Sequence, residues 1–146
     1  MHKDSSIGMP IRRFFEHHLT AQRGLSGHTV LAYRDTMKLF LQFVAERCRK
    51  TCTDLVIEDA SARLVADFVV HLERVRRNSV RTRNVRLAAI HSFFRYLATT
   101  DPRYLTQCQR VLGVPFKRET HRVPEYLEHE EVLSIFRHID GSTLLG

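Results

Sequence analysis

The residues of this 146-residue chain best suited to chemistry are arginines that lie close together in its second half. Between residues 74 and 98 there is no aspartate or glutamate, and the guanidinium groups there belong to Arg74, Arg76, Arg77, Arg81, Arg83, Arg86 and Arg95. The whole chain carries a formal net charge of +7. Such a balance favours a polyanionic partner, either nucleic acid or an anionic surface.

Helical periodicity divides this arginine-rich segment into two faces. A helix is predicted from Ser79 to about Ala98, with an apolar stripe formed by Leu87, Ile90, Phe94 and Leu97. At 100° per residue, the opposite face lies within an arc of about 80° and is formed by Arg81, Asn84, Ala88, His91 and Arg95. We expect this face to enter a major groove, where arginine pairs with guanine and asparagine with adenine. Ser79 and Thr82 at the helix N-terminus are expected to meet phosphates.

Two arginines of the same helix do not fit this division. At 100° per residue, Arg83 and Arg86 lie on the apolar side of the helix, so we expect them to reach past the edge of the core to phosphates. The alternative is a solvated basic face that only keeps the protein soluble. Because the segment from residue 74 to residue 98 holds seven arginines and no acidic residue, the nucleic-acid interpretation is favoured.

Other reactive residue types form no recognisable site. Cys48, Cys52 and Cys108 are an odd number of cysteines, so neither a disulfide framework nor a zinc site is expected. No glycine-rich phosphate loop and no nucleophile with an activating pair stands at motif spacing. We therefore expect no catalytic residue, no metal, no cofactor and no small-molecule substrate.

The remaining periodic stretches supply the elements that must position the basic helix. A first helix is predicted from about Pro10 to Gly24, a second capped by Ser26 and a third capped by Ser61. Their apolar stripes consist of Ile11, Phe14, Phe15, His18 and Leu19; of Val30, Tyr33, Met37, Phe40, Leu41 and Val44; and of Leu64, Val65, Phe68, Val69, Leu72 and Val75. A shorter turn with Leu105, Cys108, Val111 and Leu112 follows the fourth helix. The predicted fold class is therefore all-α, a bundle of four to five helices.

Beyond these helices, the regular apolar spacing gives way to a polar stretch. The segment between Pro115 and Pro124 is polar and basic, which predicts an extended linker, and one further helix is predicted around residues 132–139. No apolar stretch approaches the roughly 20 residues needed to span a bilayer. The N-terminus does not resemble a signal peptide, so a cytoplasmic location without membrane attachment is expected.

Two stretches resemble the tyrosine recombinase, or phage integrase, family. The sequence LSGHTVLAYRDT at residues 25–36 is similar to the second-helix signature of the family's core-binding domains, and NSVRTRNVRLAAIHSFFRYL at residues 78–97 is similar to the fourth-helix signature. Residues 114–118 and 127–132 resemble the interdomain linker and the first helix of the catalytic domain.

The resemblance implies a SAM-like orthogonal bundle as a core-binding domain at residues 6–112, a basic linker at 113–126 and a truncated first helix of a catalytic domain at 127–146. It implies that the family's Arg-His-Arg set and tyrosine nucleophile lie beyond Gly146, so the chain alone is not expected to be an enzyme. The implied partners are double-stranded DNA and other recombinase protomers on the recombination site.

The residues expected to contact DNA come from the second helix, the fourth helix and the linker. They are Thr29, Lys38, Ser79, Arg81, Thr82, Arg83, Asn84, Arg86, His91, Arg95, Lys117 and Arg118. The rival hypothesis is a protein- or RNA-interaction module that uses the basic helix at residues 79–98.

Overall fold

The computed structural model of the chain describes residues 6–22 and 24–119. Its α-helices are α1 (Gly8–Arg13), α2 (Gly27–Cys48), α3 (Ala62–Arg74), α4 (Val80–Thr100) and α5 (Leu105–Leu112). Short 3-10 turns lie at Cys52–Asp54, Ile57–Asp59 and Pro102–Tyr104. The described part contains no β-strand, only an isolated bridge between Ser6 and Val56. The predicted all-α fold class is confirmed, whereas residues 120–126 of the linker and the helix predicted within residues 127–146 lie outside the described residues.

Three serines begin the three longest helices, as the sequence predicts. In each case the serine hydroxyl accepts a hydrogen bond from the backbone N–H three residues further on, at 3.1–3.3 Å. These residues are Ser26, Ser61 and Ser79. Because the first backbone N–H groups of a helix have no partner within it, each cap contributes about 1 kcal/mol.

The first helix differs in type from the continuous α-helix that the sequence predicts. It begins as α1 but continues from Phe14 to Gln22 as a π-helix rather than as a continuous α-helix. Phe14 and Leu19 are nevertheless completely buried, and Phe14 contacts Phe93 of α4 edge-to-face, with ring centroids 5.5 Å apart. The predicted stripe therefore reaches the core through a wider helical turn.

α4 is the central helix of the bundle, because α2, α3, α5 and the π-helix all pack against it. The predicted stripe residues are fully buried: Leu87, Ile90, Phe94 and Leu97. The neighbouring Ala89, His91, Ser92 and Phe93 are buried as well. The expectation of one core face and one open face along the whole helix is therefore wrong, since the middle of α4 is covered on every side.

Two predicted core positions lie at the edge of the bundle instead. Leu105 begins α5 and is 43% exposed, and Val75 follows the last residue of α3 and is 68% exposed. Both residues stand at helix ends, where the neighbouring elements no longer cover them. Within the described residues, no helix is long and apolar enough to cross a membrane.

Candidate nucleic-acid interface

Four of the expected contact residues are exposed on α4 and its cap, three of them at its N-terminal end and Arg95 near its C-terminal end. We call Ser79, Arg81, Thr82 and Arg95 the open basic face, because all four are exposed. Among the described residues, no carboxylate lies within ion-pair distance of either arginine. Ser79 Oγ lies 3.1 Å from Thr82 Oγ1, and it also accepts the Thr82 backbone N–H. The two guanidinium groups are therefore available to an external anion.

A groove between α2 and the first turns of α4 adjoins this face. It has a volume of about 280 Å³ and is lined by Ala32, Asp35, Thr36, Arg81, Thr82, Val85 and Arg86. Val85 is 52% exposed, which is unusual for a large apolar side chain on a central helix. The groove thus places apolar, acidic and basic groups beside one another.

The two residues predicted on α2 do not lie together. Thr29 is half-buried and its hydroxyl lies 3.0 Å from Ser26 Oγ, whereas Lys38 is exposed. Because they are nine positions apart, they lie about 180° apart around the helix. They cannot both face the same side of a duplex through α2, and Thr29 lies nearer to the groove side marked by Ala32 and Thr36.

Arg83 and Arg86 point inward, as their azimuth predicts, but the expectation that the arginines are unopposed is wrong for both. Arg83 is 9% exposed and its Nε lies 3.9 Å from a carboxylate oxygen of Glu73 on α3. An Nη of Arg86 lies 3.5 Å from the Asp35 carboxylate on α2, and its other Nη donates to Asn78 Oδ1 at 3.1 Å. Glu73 lies just before the arginine-rich segment and Asp35 lies on α2, so the acid-free pattern between residues 74 and 98 does not reveal them.

The start of the predicted linker is held against α4. Asn84 Nδ2 donates to the Lys117 backbone carbonyl at 2.7 Å, and the Lys117 backbone N–H donates to Asn84 Oδ1 at 2.9 Å. Arg83 donates to the Pro115 carbonyl at 3.2 Å, and Lys117 Nζ lies 3.0 Å from a Glu73 carboxylate oxygen. We call these contacts of Glu73, Arg83 and Asn84 with Pro115 and Lys117 the linker clasp. In this arrangement both polar atoms of the Asn84 amide are engaged, so Asn84 is not free to read adenine.

His91 is the clearest departure from the expected face. It is 2% exposed and its ring meets Phe116 edge-to-face, with centroids 5.1 Å apart. Burial lowers the pKa of His91, and the positive charge of Arg95 lowers it further, whereas backbone hydrogen bonds at Val111 and Val114 act in the opposite direction. The expectation that His91 lies on an open face is therefore wrong, because the linker and α5 cover that side of α4.

The basic residues of the linker remain accessible. Lys117 and Arg118 are both exposed, although the Lys117 ammonium group is paired with Glu73. The clasp fixes the backbone at Lys117 beside Asn84. Arg118 therefore leaves the domain from a defined point near the N-terminal half of α4.

The described residues provide little for metal or thiol chemistry. No group of three or more metal-ligating side chains comes together among them, and all three cysteines are free thiols. Burial raises the pKa of the Cys108 thiol to about 11, so this thiol stays protonated. The exposed guanidinium groups of Arg81 and Arg95 can contact anions.

Comparison with known proteins identifies the class of this domain. Residues 11–100 match the model of the phage integrase N-terminal SAM-like domain, which covers more than half of the chain. The chain belongs to this family, and the resemblance seen in the two sequence stretches is confirmed.

Named relatives agree with this assignment. The chain is 41% identical over 146 residues, all of its length, to the integrase/recombinase y4rC of Sinorhizobium fredii, of which it covers 44%. It is 39% identical over 122 residues, 84% of the chain and 43% of the relative, to y4rD of the same organism. Tyrosine recombinase XerC of Rickettsia massiliae is 26% identical over 139 residues, 94% of the chain and 43% of the relative. The chain thus spans less than half the length of these relatives, and no solved structure matches it.

Proposed function

We propose that this domain binds double-stranded DNA as the core-binding part of a tyrosine recombinase. The observation that carries the proposal is the open basic face, where Arg81 and Arg95 are exposed on one helix without an acidic partner in the described residues. They are 14 positions apart, which is about 21 Å along the helix. Because the middle of α4 is buried between them, the two arginines contact the backbone separately, and their spacing suits phosphates at two places along a duplex.

The residues of this surface have separate roles in the proposal. Arg81 and Arg95 contact phosphates, and the hydroxyls of Ser79 and Thr82 approach the backbone at the N-terminal end of α4, where the helix dipole favours negative charge. Arg118 adds a phosphate contact from the linker. Together these contacts are independent of sequence and supply most of the affinity.

The other predicted residues act differently. Arg83 and Asn84 hold the linker, and Lys117 contributes its backbone to the clasp and a partly neutralised charge. Thr29 and Lys38 would meet different parts of a duplex, since they lie on opposite sides of α2. His91 is not proposed as a DNA contact, because a ring that is 2% exposed cannot reach DNA unless the linker undocks.

Strand cleavage and rejoining are proposed for the parent protein rather than for these residues. The relatives named integrase or recombinase are more than twice as long as their match to this chain. Other recombinase protomers on the same DNA site are proposed as partners for the same reason. We assign no catalytic role to the described tyrosines, since Tyr104 is buried and Tyr33 and Tyr96 pack against the core.

Salt-dependent duplex binding tests the proposal. Fluorescence anisotropy with a labelled random-sequence duplex is measured at several NaCl concentrations for the wild-type chain, for Arg81→Ala/Arg95→Ala and for Arg63→Ala. Arg63 is the matched control, because it is an exposed arginine that lies beside Arg103 and Tyr104, beyond the C-terminal end of α4. We expect the slope of log K against log[salt] to fall in magnitude by about 2 for the double variant.

The outcomes separate the proposal from its rival. Binding that does not depend on salt, or an Arg63→Ala chain that loses as much affinity as the double variant, would contradict it. Single-stranded RNA and an acidic polypeptide serve as competitors for bound duplex. If either displaces the chain more effectively than unlabelled duplex does, the protein- or RNA-interaction module is the better account.

A further inference from the structure

An exposed carboxylate stands within the groove beside the open basic face. Asp35 is the single acidic residue between Glu16 and Glu46 in the sequence, and its side chain is 63% exposed. It lines the groove together with Arg81 and Arg86. α4, across the groove, contains no acidic residue at all. The carboxylate therefore interrupts a surface that is otherwise neutral or basic.

A carboxylate is a poor neighbour for a DNA phosphate. At about 7 Å in water, two unit negative charges repel each other by about 0.6 kcal/mol, which weakens binding to any duplex about 2- to 3-fold. The edges of the bases in the major groove are different, because the amino groups at cytosine N4 and adenine N6 are hydrogen-bond donors that a carboxylate accepts. The exposed carboxylate in the groove between α2 and α4 is therefore better suited to contact a base edge than the DNA backbone.

The Asp35 side chain also has a neighbour of opposite charge. One oxygen of Asp35 lies 3.5 Å from an Nη of Arg86, and Arg86 is itself fixed by its bond to Asn78 Oδ1 at 3.1 Å. The Arg86 side chain is only 18% exposed, so it contacts the carboxylate from the protein side of the groove. Val85 next to it is 52% exposed and offers an apolar surface to a thymine methyl group. An arginine that is itself fixed beside the carboxylate favours one orientation of it, which discrimination between bases requires.

We propose that Asp35 determines sequence specificity by accepting a hydrogen bond from the exocyclic amino group of a base in the major groove, with Arg86 as the residue that positions it. This inference rests on the proposed function. It assigns discrimination to the groove between α2 and α4, and affinity to the open basic face.

Selection from a random duplex library tests the assignment with the full chain. Wild type, Asp35→Ala, Asp35→Asn and the control Glu46→Ala are each used to enrich duplexes, and the dissociation constants for enriched and scrambled duplexes are then measured. Glu46 is the matched control, because it is an exposed carboxylate on the same helix, about 16 Å from Asp35 along the axis.

We expect wild type and Glu46→Ala to enrich the same motif. Asp35→Ala should lose the preference at one position, with about a 10-fold smaller ratio of enriched to scrambled affinity. Its affinity for scrambled duplex should rise about 2- to 3-fold. Asp35→Asn should shift that position toward adenine, since asparagine pairs with N6 and N7 of that base.

Two results would overturn the inference, and they differ in meaning. If Asp35→Ala enriches the wild-type motif with an unchanged affinity ratio, Asp35 does not read a base and the proposed function stands. If wild type binds no duplex, the proposed function fails and this assignment fails with it.

Discussion

The linker clasp makes a quantitative prediction for the change Asn84→Ala. The substitution removes the bond from Asn84 Nδ2 to the Lys117 carbonyl at 2.7 Å and the bond from the Lys117 N–H to Asn84 Oδ1 at 2.9 Å. A net contribution of about 1 kcal/mol for each bond makes the docking of the linker weaker by about 2 kcal/mol. The population of undocked linker should therefore rise about 30-fold.

Hydrogen exchange at the Lys117 amide responds to this change. In the wild type the amide is bonded to Asn84 Oδ1, so its exchange requires that bond to open, and in Asn84→Ala the amide has no such acceptor even while Arg83 and Glu73 still hold the linker. Exchange at Lys117 should therefore become at least about 30-fold faster in Asn84→Ala, while the amides of Leu87 and Ile90 in the core of α4 keep their protection. Gln109→Ala is the control, because Gln109 is an exposed amide side chain on α5 outside the clasp.

A Lys117 amide that exchanges at the same rate in Asn84→Ala, Gln109→Ala and wild type would contradict the role assigned to Asn84. Faster exchange throughout α4 would contradict it in another way, since the substitution would then have loosened the bundle and not the linker.

Three further predictions concern the bundle that supports the interface. Ser79→Ala removes the cap of α4 and should lower the free energy of unfolding by about 1 kcal/mol in urea titrations, without changing the denaturant slope. Burial holds the pKa of His91 below its ordinary value of 6.5. As the pH falls, the imidazole is therefore protonated in the unfolded chain before it is protonated in the folded chain, which lowers the free energy of unfolding. The urea midpoint should therefore drop between pH 7.5 and pH 5.5, and His91→Gln should make that drop smaller. At pH 8 a thiol reagent should modify the exposed Cys52 rapidly but Cys108 only after unfolding; rapid labelling of Cys108 in the native chain would show that its burial is wrong.

Local signals account for much of the fold. The serines that begin α2, α3 and α4 are found where the sequence predicts them, because a helix cap depends on residues only three positions apart. The buried stripe of α4 from Leu87 to Leu97 follows equally from helical period. The change to a π-helix at Phe14 does not follow, since the apolar spacing there is compatible with an ordinary α-helix.

The candidate site is less accessible to sequence reasoning, because its arrangement depends on distant partners. The helical wheel places Arg81 and Arg95 on one side correctly, and both are exposed. The same wheel puts His91 beside them, but it carries no information about the linker that covers that ring. Likewise, Glu73 and Asp35 approach the arginines of α4 from other helices. Which of these residues touch DNA stays a prediction.

An NMR titration of the isotope-labelled full chain with a short duplex tests the central claim most directly. We predict that the backbone amides of Arg81, Thr82, Arg95 and Arg118 shift together and saturably, and that added salt reverses the shifts. Shifts confined to α5 and to the neighbourhood of Arg63, or a spectrum unchanged by duplex, would contradict the assignment of α4 and the linker as the DNA-binding surface.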